Sequence, residues 1–194
     1  MDRAENSKGS MAYKPRWPLN QAKEVAEQLQ GLLAPACERI VIAGSIRREK
    51  PAVGDIEILY IPKLHSQPAD MLGFVDIQDE LDSLIKASRC VVPRPNKKGA
   101  YTYGPKNKLM LHPDTGIPVD IFSTDTHNWG MALVVRTGSA EFNIRLMARF
   151  KQQGFAGHAY GGITTPNGEI ECPDEETVFR VAGWQYVPPK ERIS

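Results

Sequence analysis

The stretch Ile42-Ala43-Gly44-Ser45-Ile46-Arg47-Arg48-Glu49-Lys50-Pro51-Ala52-Val53-Gly54-Asp55-Ile56-Glu57-Ile58-Leu59-Tyr60 decides how the chain is read. An apolar run from Glu38 to Ala43 predicts a strand ending at Gly44. A second run, Val53 to Ile61, predicts another strand, closed by Pro62. Side chains alternate across a strand, so Asp55 and Glu57 should leave one face, Ile56 and Ile58 the other. Gly44-Ser45 followed by a short helical turn would aim free backbone N–H groups at an anion, with the Ser45 hydroxyl as an added donor. Arg47 and Arg48, on the same turn, suit phosphate oxygens. Each feature also has a plainer reading. Ser45 would serve as an N-cap, the arginines as a solvated pair, the acids as the outward side of a half-exposed strand. Together, a turn for phosphates and a carboxylate pair for Mg²⁺ form the combination that phosphoryl transfer needs.

Ahead of this stretch, Leu19, Ala22, Ala26, Leu29 and Leu33 share one stripe and predict a helix from Pro18 to Leu33, stopped at Pro35. Beyond it, Ile77, Leu81, Leu84 and Ile85 predict a second amphipathic helix, with Asp76 as its N-cap. Residues 100–111 and 117–123 predict strands around the turn His112-Pro113-Asp114-Thr115-Gly116. Met131 to Val135 is a further apolar run. Thr137-Gly138-Ser139 then opens a helix from Ala140 to Gln153, with Phe142, Leu146 and Phe150 on one side and Ser139 as N-cap. After Gly154 the sequence turns to glycine and short turns. A last helix, Glu175 to Ala182, follows Pro173-Asp174 and stops at Gly183. The pattern is α+β: a mixed sheet with helices, then a smaller helical and hairpin unit.

The 194 residues suffice for one core with a small appendage, and a net charge of +1 leaves any nucleic-acid surface to local patches. No apolar run approaches the roughly 18 residues of a membrane span. Cys37, Cys90 and Cys172 are odd in number and far apart, which points to packing residues in a reducing, cytoplasmic setting. The four histidines show no ligand spacing. Residues 1–16 read as a disordered leader, and Gly9-Ser10-Met11 within them reads as a cloning junction.

Two carboxylates do not complete a two-metal site. Asp120, in Pro118-Val119-Asp120-Ile121-Phe122, is the best third acid, because an unpaired acid in an apolar strand would be costly. An edge-strand acid facing water is its plainer reading. With it, Gly44-Ser45-x-Arg47-Arg48, Gly54-Asp55-x-Glu57 and Val119-Asp120 resemble the nucleotidyltransferase motif of family X DNA polymerases, the DNA polymerase beta group. Thr137-Gly138-Ser139-x-x-Phe142-Asn143 resembles the segment opening that family's thumb. Glu176-x-Val178-Phe179, Gly183-Trp184-x-Tyr186-Val187-Pro188-Pro189 and Glu191-Arg192 resemble its carboxy-terminus. The likeness runs from Pro18 to Arg192.

The resemblance implies a minimal form of the family: a nucleotidyltransferase palm over 17–135 and a thumb over 136–194, likened to no amino-terminal lyase or helix-hairpin-helix segment. It implies a DNA-directed polymerase adding dNMP to a primer 3′-OH with two Mg²⁺ ions, Mn²⁺ able to substitute, in short-gap DNA repair. Asp55, Glu57 and Asp120 would be catalytic metal ligands. Gly44, Ser45, Arg48 and Gly54 would hold phosphates; Gly138, Ser139 and Asn143 would line the sugar and base of the nucleotide. The partners implied are DNA and deoxynucleoside triphosphates, with no membrane and a monomeric chain. DNA contact would come from Lys97, Lys98, Lys106 and Lys108, near Arg89, Arg94, Tyr101 and Tyr103, and from Arg145 and Arg149; a solvated hairpin is the competing reading. Five positions depart from the family pattern. Glu57 stands where Asp is usual, Val53 where a phosphate-binding serine is common, Val135-Arg136 in place of an aromatic pair, and Met147 in place of a basic residue. These keep open a template-independent or non-DNA nucleotidyltransferase and an inactive binding module.

Overall fold

One helix, apolar on every side, joins a mixed sheet to a smaller carboxy-terminal unit. The computed structural model of the chain describes residues 15–68 and 75–193. In chain order its elements are β1 (Trp17–Pro18), α1 (Leu19–Leu33), β2 (Cys37–Ile42), the helical turn α2 (Gly44–Arg47), β3 (Ala52–Val53) and β4 (Ile56–Pro62). The hairpin β5 (Leu64–Pro68) and β6 (Val75–Asp79), then α3 (Glu80–Ser88), β7 (Val92–Pro93), β8 (Asn107–Leu111) and β9 (Pro118–Ser123) follow. The last elements are α4 (Trp129–Thr137), α5 (Ala140–Gln152), β10 (Ala156–His158), β11 (Gly162–Thr165), β12 (Gly168–Ile170) and α6 (Glu175–Ala182).

The large sheet runs β2-β4-β9-β8-β7, with β4 and β9 parallel and the other pairs antiparallel. β4 is almost continuously apolar because both of its faces are covered. Ile56, Ile58 and Tyr60 enter a core with Ala22 and Leu29 of α1 and Leu81 and Ile85 of α3. Leu59 and Ile61 leave the opposite face and meet Trp129, Ala132 and Leu133 of α4. From its other side α4 sends Met131 and Val134 into a second core with Phe142, Leu146, Phe150 and Phe179. A helix buried on two sides needs no polar stripe, which is why 131–135 shows no helical period.

The α+β pattern holds, with three local corrections. First, the strand expected from Val53 to Ile61 is broken: Ala52 and Val53 turn aside to pair with Pro18 and Trp17, so β4 starts at Ile56 and Asp55 precedes it. Second, α3 starts at Glu80, capped by Asp79, whose side chain accepts from Leu81 N at 3.0 Å. Asp76 and Ile77 belong instead to β6, drawn into pairing with β5. Third, 100–106 is no strand. Asn96 Oδ1 accepts from Lys98 N (2.8 Å) and Ala100 N (3.1 Å), which folds that segment into a loop held by single bridges. The apolar run Met131 to Val135 lies in α4. Of the proposed leader, only Pro15 and Arg16 fall among the described residues. There, no helix is long and apolar enough to cross a membrane.

The three cysteines are free, with Cys37 and Cys172 buried. Burial first, and Asp79 second, push the Cys37 thiol up to about 12. Burial first, then Asp174, raise that of Cys172 to about 11. Both therefore serve as packing residues.

Gly130 marks the closest approach of α4 to the segment leading into α6. Its N–H donates to the Cys172 carbonyl at 2.6 Å, and a Cβ there would collide with the Asp174 carbonyl. Backbone cannot yield as a side-chain tip would. Gly130→Ala is expected to lower the unfolding free energy by about 1–3 kcal/mol, read as a lower urea midpoint with unchanged slope.

Candidate active site

The turn α2 is tied to β4 by Ala43 N, which donates to the Glu57 carbonyl at 2.8 Å. Gly44 has φ +64° and lies against the Glu57 carboxylate, where any Cβ would meet Oε2. The residue must therefore be glycine on two counts, backbone conformation and space. The turn is too short to supply acceptors for its own first N–H groups. Ser45 Oγ and Arg48 Nε sit beside it, buried and without a hydrogen-bond partner.

Glu57 and Asp120 are parallel register partners on β4 and β9, next to Leu59 and Phe122 on the face that α4 covers. Asp55 lies half-buried just before β4. Burial most strongly, then the Asp55 charge, raise the Glu57 carboxyl to about 7; Asp120 adds to this, while Arg136 and Arg48 oppose it. Three carboxylates thus crowd within electrostatic reach. Among the described residues no set of three acidic, His or Cys side chains stands ready-arranged around a metal position. Glu57 turns under Gly44, and Asp120 receives the Arg94 guanidinium. The donor chemistry still fits a hard cation: all three are carboxylate oxygens, and a divalent ion would relieve the repulsion that raises Glu57.

The arginines of the turn are both engaged. Arg47 donates to Thr137 Oγ1 (2.8 Å) and, through two nitrogens, to Glu175 Oε1 (2.7 Å) and Oε2 (2.8 Å). Arg48 donates to the Thr137 carbonyl. Burial lowers the Arg48 guanidinium, opposed by Glu57 and Asp55, so this cation faces both acids. Glu175, on the first turn of α6, also takes Arg192 Nη2 (3.0 Å) and Tyr186 OH (3.2 Å). Arg192 is fully buried, and its carbonyl accepts from Ser139 N at 3.0 Å. One network therefore fixes the glycine turn, the Thr137–Ser139 segment and the carboxy-terminal tail relative to one another.

Asn143 is held by its Nδ2, which donates to the Val135 carbonyl at 2.8 Å, while its Oδ1 is buried without a partner and lies against Gly138. Ser139 caps α5, its Oγ accepting from Phe142 N at 3.0 Å. Gly54 is buried next to Asp55. Arg136 lies over the Phe122 ring, 3.6 Å from its centroid, and 5.0 Å from that of Tyr160.

The basic residues divide. Lys97, Lys98 and Lys106 are exposed, and Lys106 lies 5.7 Å from the Tyr160 centroid. Lys108 is corrected from the expected surface patch: it is fully buried and donates to Tyr60 OH (3.1 Å) and the Gly104 carbonyl (3.2 Å), with Asp82 at 3.0 Å. An ammonium buried this deeply serves the fold through its partners. Arg145 is exposed and donates to the Ile193 carbonyl (2.9 Å). Arg149, half-buried, donates from Nε to the Ala182 carbonyl (2.8 Å), closing the end of α6. Glu175 was missed because an acid at a helix start reads as an ordinary first-turn charge. No local signal announces its two arginines.

Comparison with known proteins agrees with this arrangement. Residues 132–193 match the family model of the DNA polymerase beta thumb. DNA polymerase lambda of Rattus norvegicus is 25% identical over 197 aligned residues, covering 91% of this chain and 33% of its own length. The chain thus spans about a third of that relative. The crystal structure of Leishmania infantum polymerase beta, a ternary P/T complex, aligns with TM-score 0.68 and 19% identity over 92% of this chain and 77% of that one. The fold is that of polymerase beta, a mixed sheet with helices.

Two carboxylates should titrate in opposite senses. Two guanidinium groups outweigh burial and hold Glu175 at about 2, below its usual 4.5. Its contribution is complete above about pH 4.5 and disappears as pH falls through about 2. Glu175→Gln should lose about 3–5 kcal/mol at pH 7, since the buried Arg192 and the half-buried Arg47 lose their counter-charge, and the deficit should shrink on acidification. Glu57, raised from 4.5 to about 7, binds its proton more tightly when folded, so it weakens the metal-free fold as pH rises through that window. Glu57→Gln should therefore raise the melting temperature at pH 8 and leave it unchanged at pH 4.

Proposed function

We propose that the chain, similar to family X polymerases, transfers a deoxynucleoside monophosphate from a dNTP to the 3′-hydroxyl of a DNA primer under template direction, as in short-gap repair. One observation carries the reading. Of the six buried side-chain polar atoms left without partners among the described residues, three belong to Ser45, Arg48 and Asn143. Ser45 and Arg48 belong to the glycine turn, Arg48 also reaches the Thr137 carbonyl, and Asn143 Oδ1 lies against Gly138. Buried polar groups without partners are unfavourable, and a triphosphate with its base would satisfy them.

Asp55, Glu57 and Asp120 would hold Mg²⁺, with Mn²⁺ as a substitute. A divalent cation bound there supplies charge neutralisation at the triphosphate and lowers the pKa of the acceptor hydroxyl. Ser45, Arg48 and the N–H groups of Gly44 and Gly54 would bind β- and γ-phosphate oxygens. Gly138 and Ser139 would flank the sugar, and Asn143 Oδ1 would accept a hydrogen bond from the base edge. Exposed Lys97, Lys98, Lys106 and Arg145 are the basic groups available to DNA phosphates; Lys108 is left out because it is buried, and Arg149 because its guanidinium serves α6.

A second reading, addition without a template or to another acceptor, is favoured by Val135 and by Arg136, which stacks on Phe122 instead of presenting an aromatic face. A labelled gapped duplex with Mg²⁺ and each dNTP singly separates the two. Incorporation of the templated base alone is expected, and indiscriminate addition would favour the second. Asp120→Ala should reduce the rate by about 10³-fold or more, the several kcal/mol that such charge stabilisation supplies. Full activity of that variant would overturn the assignment.

A further inference from the structure

Asp120 is an acid in an apolar strand, and the structure shows what compensates it. Arg94 Nη2 donates to Asp120 Oδ1. The two side chains are only 23% and 18% exposed, so this is no solvated surface pair. Arg94 sits at the sheet edge beyond β8 and reaches across that strand to β9, where Leu109 and Asp120 are register partners. Its backbone N–H donates to the Leu109 carbonyl at 3.0 Å, and its Nε to the Met110 carbonyl at 3.0 Å. Pro93 and Pro95 flank it. The first fixes its own φ, and the second holds Arg94 extended. The guanidinium is thus anchored at one nitrogen and applied to the carboxylate with another.

We propose that Arg94 is a latch on Asp120: its guanidinium occupies the third carboxylate of the site in the free protein, and a divalent cation binds there fully only by displacing it. The inference rests on the nucleotidyl-transfer reading, which gives Asp120 its role toward metal. The charge balance is simple. One cation leaves the carboxylate as another arrives, and Arg94, still held through Nε, keeps its place beside the site. Arg94 is a positioning residue that sets how tightly metal binds before substrate does. Its Pro-Arg-Pro setting gives the fold a reason to keep it there, which a mobile surface arginine would lack.

Metal affinity tests this without reference to turnover. Free Mn²⁺ is followed by its paramagnetic resonance signal as it is titrated into the substrate-free protein, into Arg94→Gln and Arg94→Met, and into each in an Asp120→Asn background. Removing the guanidinium should tighten Mn²⁺ roughly tenfold, the scale on which an adjacent cation shifts a carboxylate's affinity for a proton. In the Asp120→Asn background the same substitutions should change nothing, since the two effects are coupled through one contact. Both replacements should agree, and either suffices if the other fails to melt cooperatively. Equal Mn²⁺ affinity with and without Arg94 overturns the latch and leaves the nucleotidyl-transfer reading standing. So does a tightening that persists unchanged in Asp120→Asn. Absence of Mn²⁺ binding in every protein overturns both.

Discussion

The carboxylate of Glu175, enclosed by the guanidinium groups of Arg47 and Arg192, sets the distance between the glycine turn on the sheet and the helical unit behind it. Arg47 comes from α2, Glu175 from the start of α6 and Arg192 from the tail, so three remote stretches meet at one charge. Buried ion pairs are not inherently stabilising, because desolvation opposes the Coulomb attraction. Here the geometry is bidentate on both sides, and Tyr186 completes the acceptor positions. The effect is one of placement. Thr137 accepts from Arg47 and from Arg48, so the Thr137–Ser139 segment is positioned by the same network.

α4 performs the corresponding task by packing. Trp129, Ala132 and Leu133 fill the sheet side, Met131 and Val134 the other, and Gly130 lets the segment before α6 approach to backbone contact. The helix ends at Arg136 and Thr137, beside Glu57 and the glycine turn. Two cores and one ionic network thus converge on the end of one helix, where the acids lie. The relation of the carboxylates to the glycine turn is a property of packing between units and not of either unit alone.

Charge in the site is balanced locally before any ligand enters. Arg94 answers Asp120, Arg48 and Arg136 oppose the repulsion at Glu57, and the glycine turn covers the Glu57 carboxylate. What is left without a hydrogen-bond partner around the turn is Ser45 Oγ, the Nε of the Arg48 guanidinium and Asn143 Oδ1.

The residues themselves determined α1, α5 and α6, the caps at Ser139 and Asp174, and the succession of a glycine-serine turn and acids in strand segments. These are local matters of periodicity, capping and backbone freedom, written into contiguous residues such as Phe142, Leu146 and Phe150. The break before β4, the start of α3 at Glu80 and the helical state of residues 131–135 were decided by tertiary pairing. In the first two, a distant partner (Trp17 and Pro18, the β5 strand) overrode a local preference; in the third, burial against two cores removed the helical period from the sequence. The partners of charge were equally illegible. Lys108 looked like a surface cation and is buried against Tyr60 and Asp82; Arg94 looked like part of a basic run and holds Asp120; Glu175 looked like a helix-start acid and ties the units together. A charge gives no hint in sequence of which opposite charge it will meet, because that depends on which strands and helices the fold brings side by side.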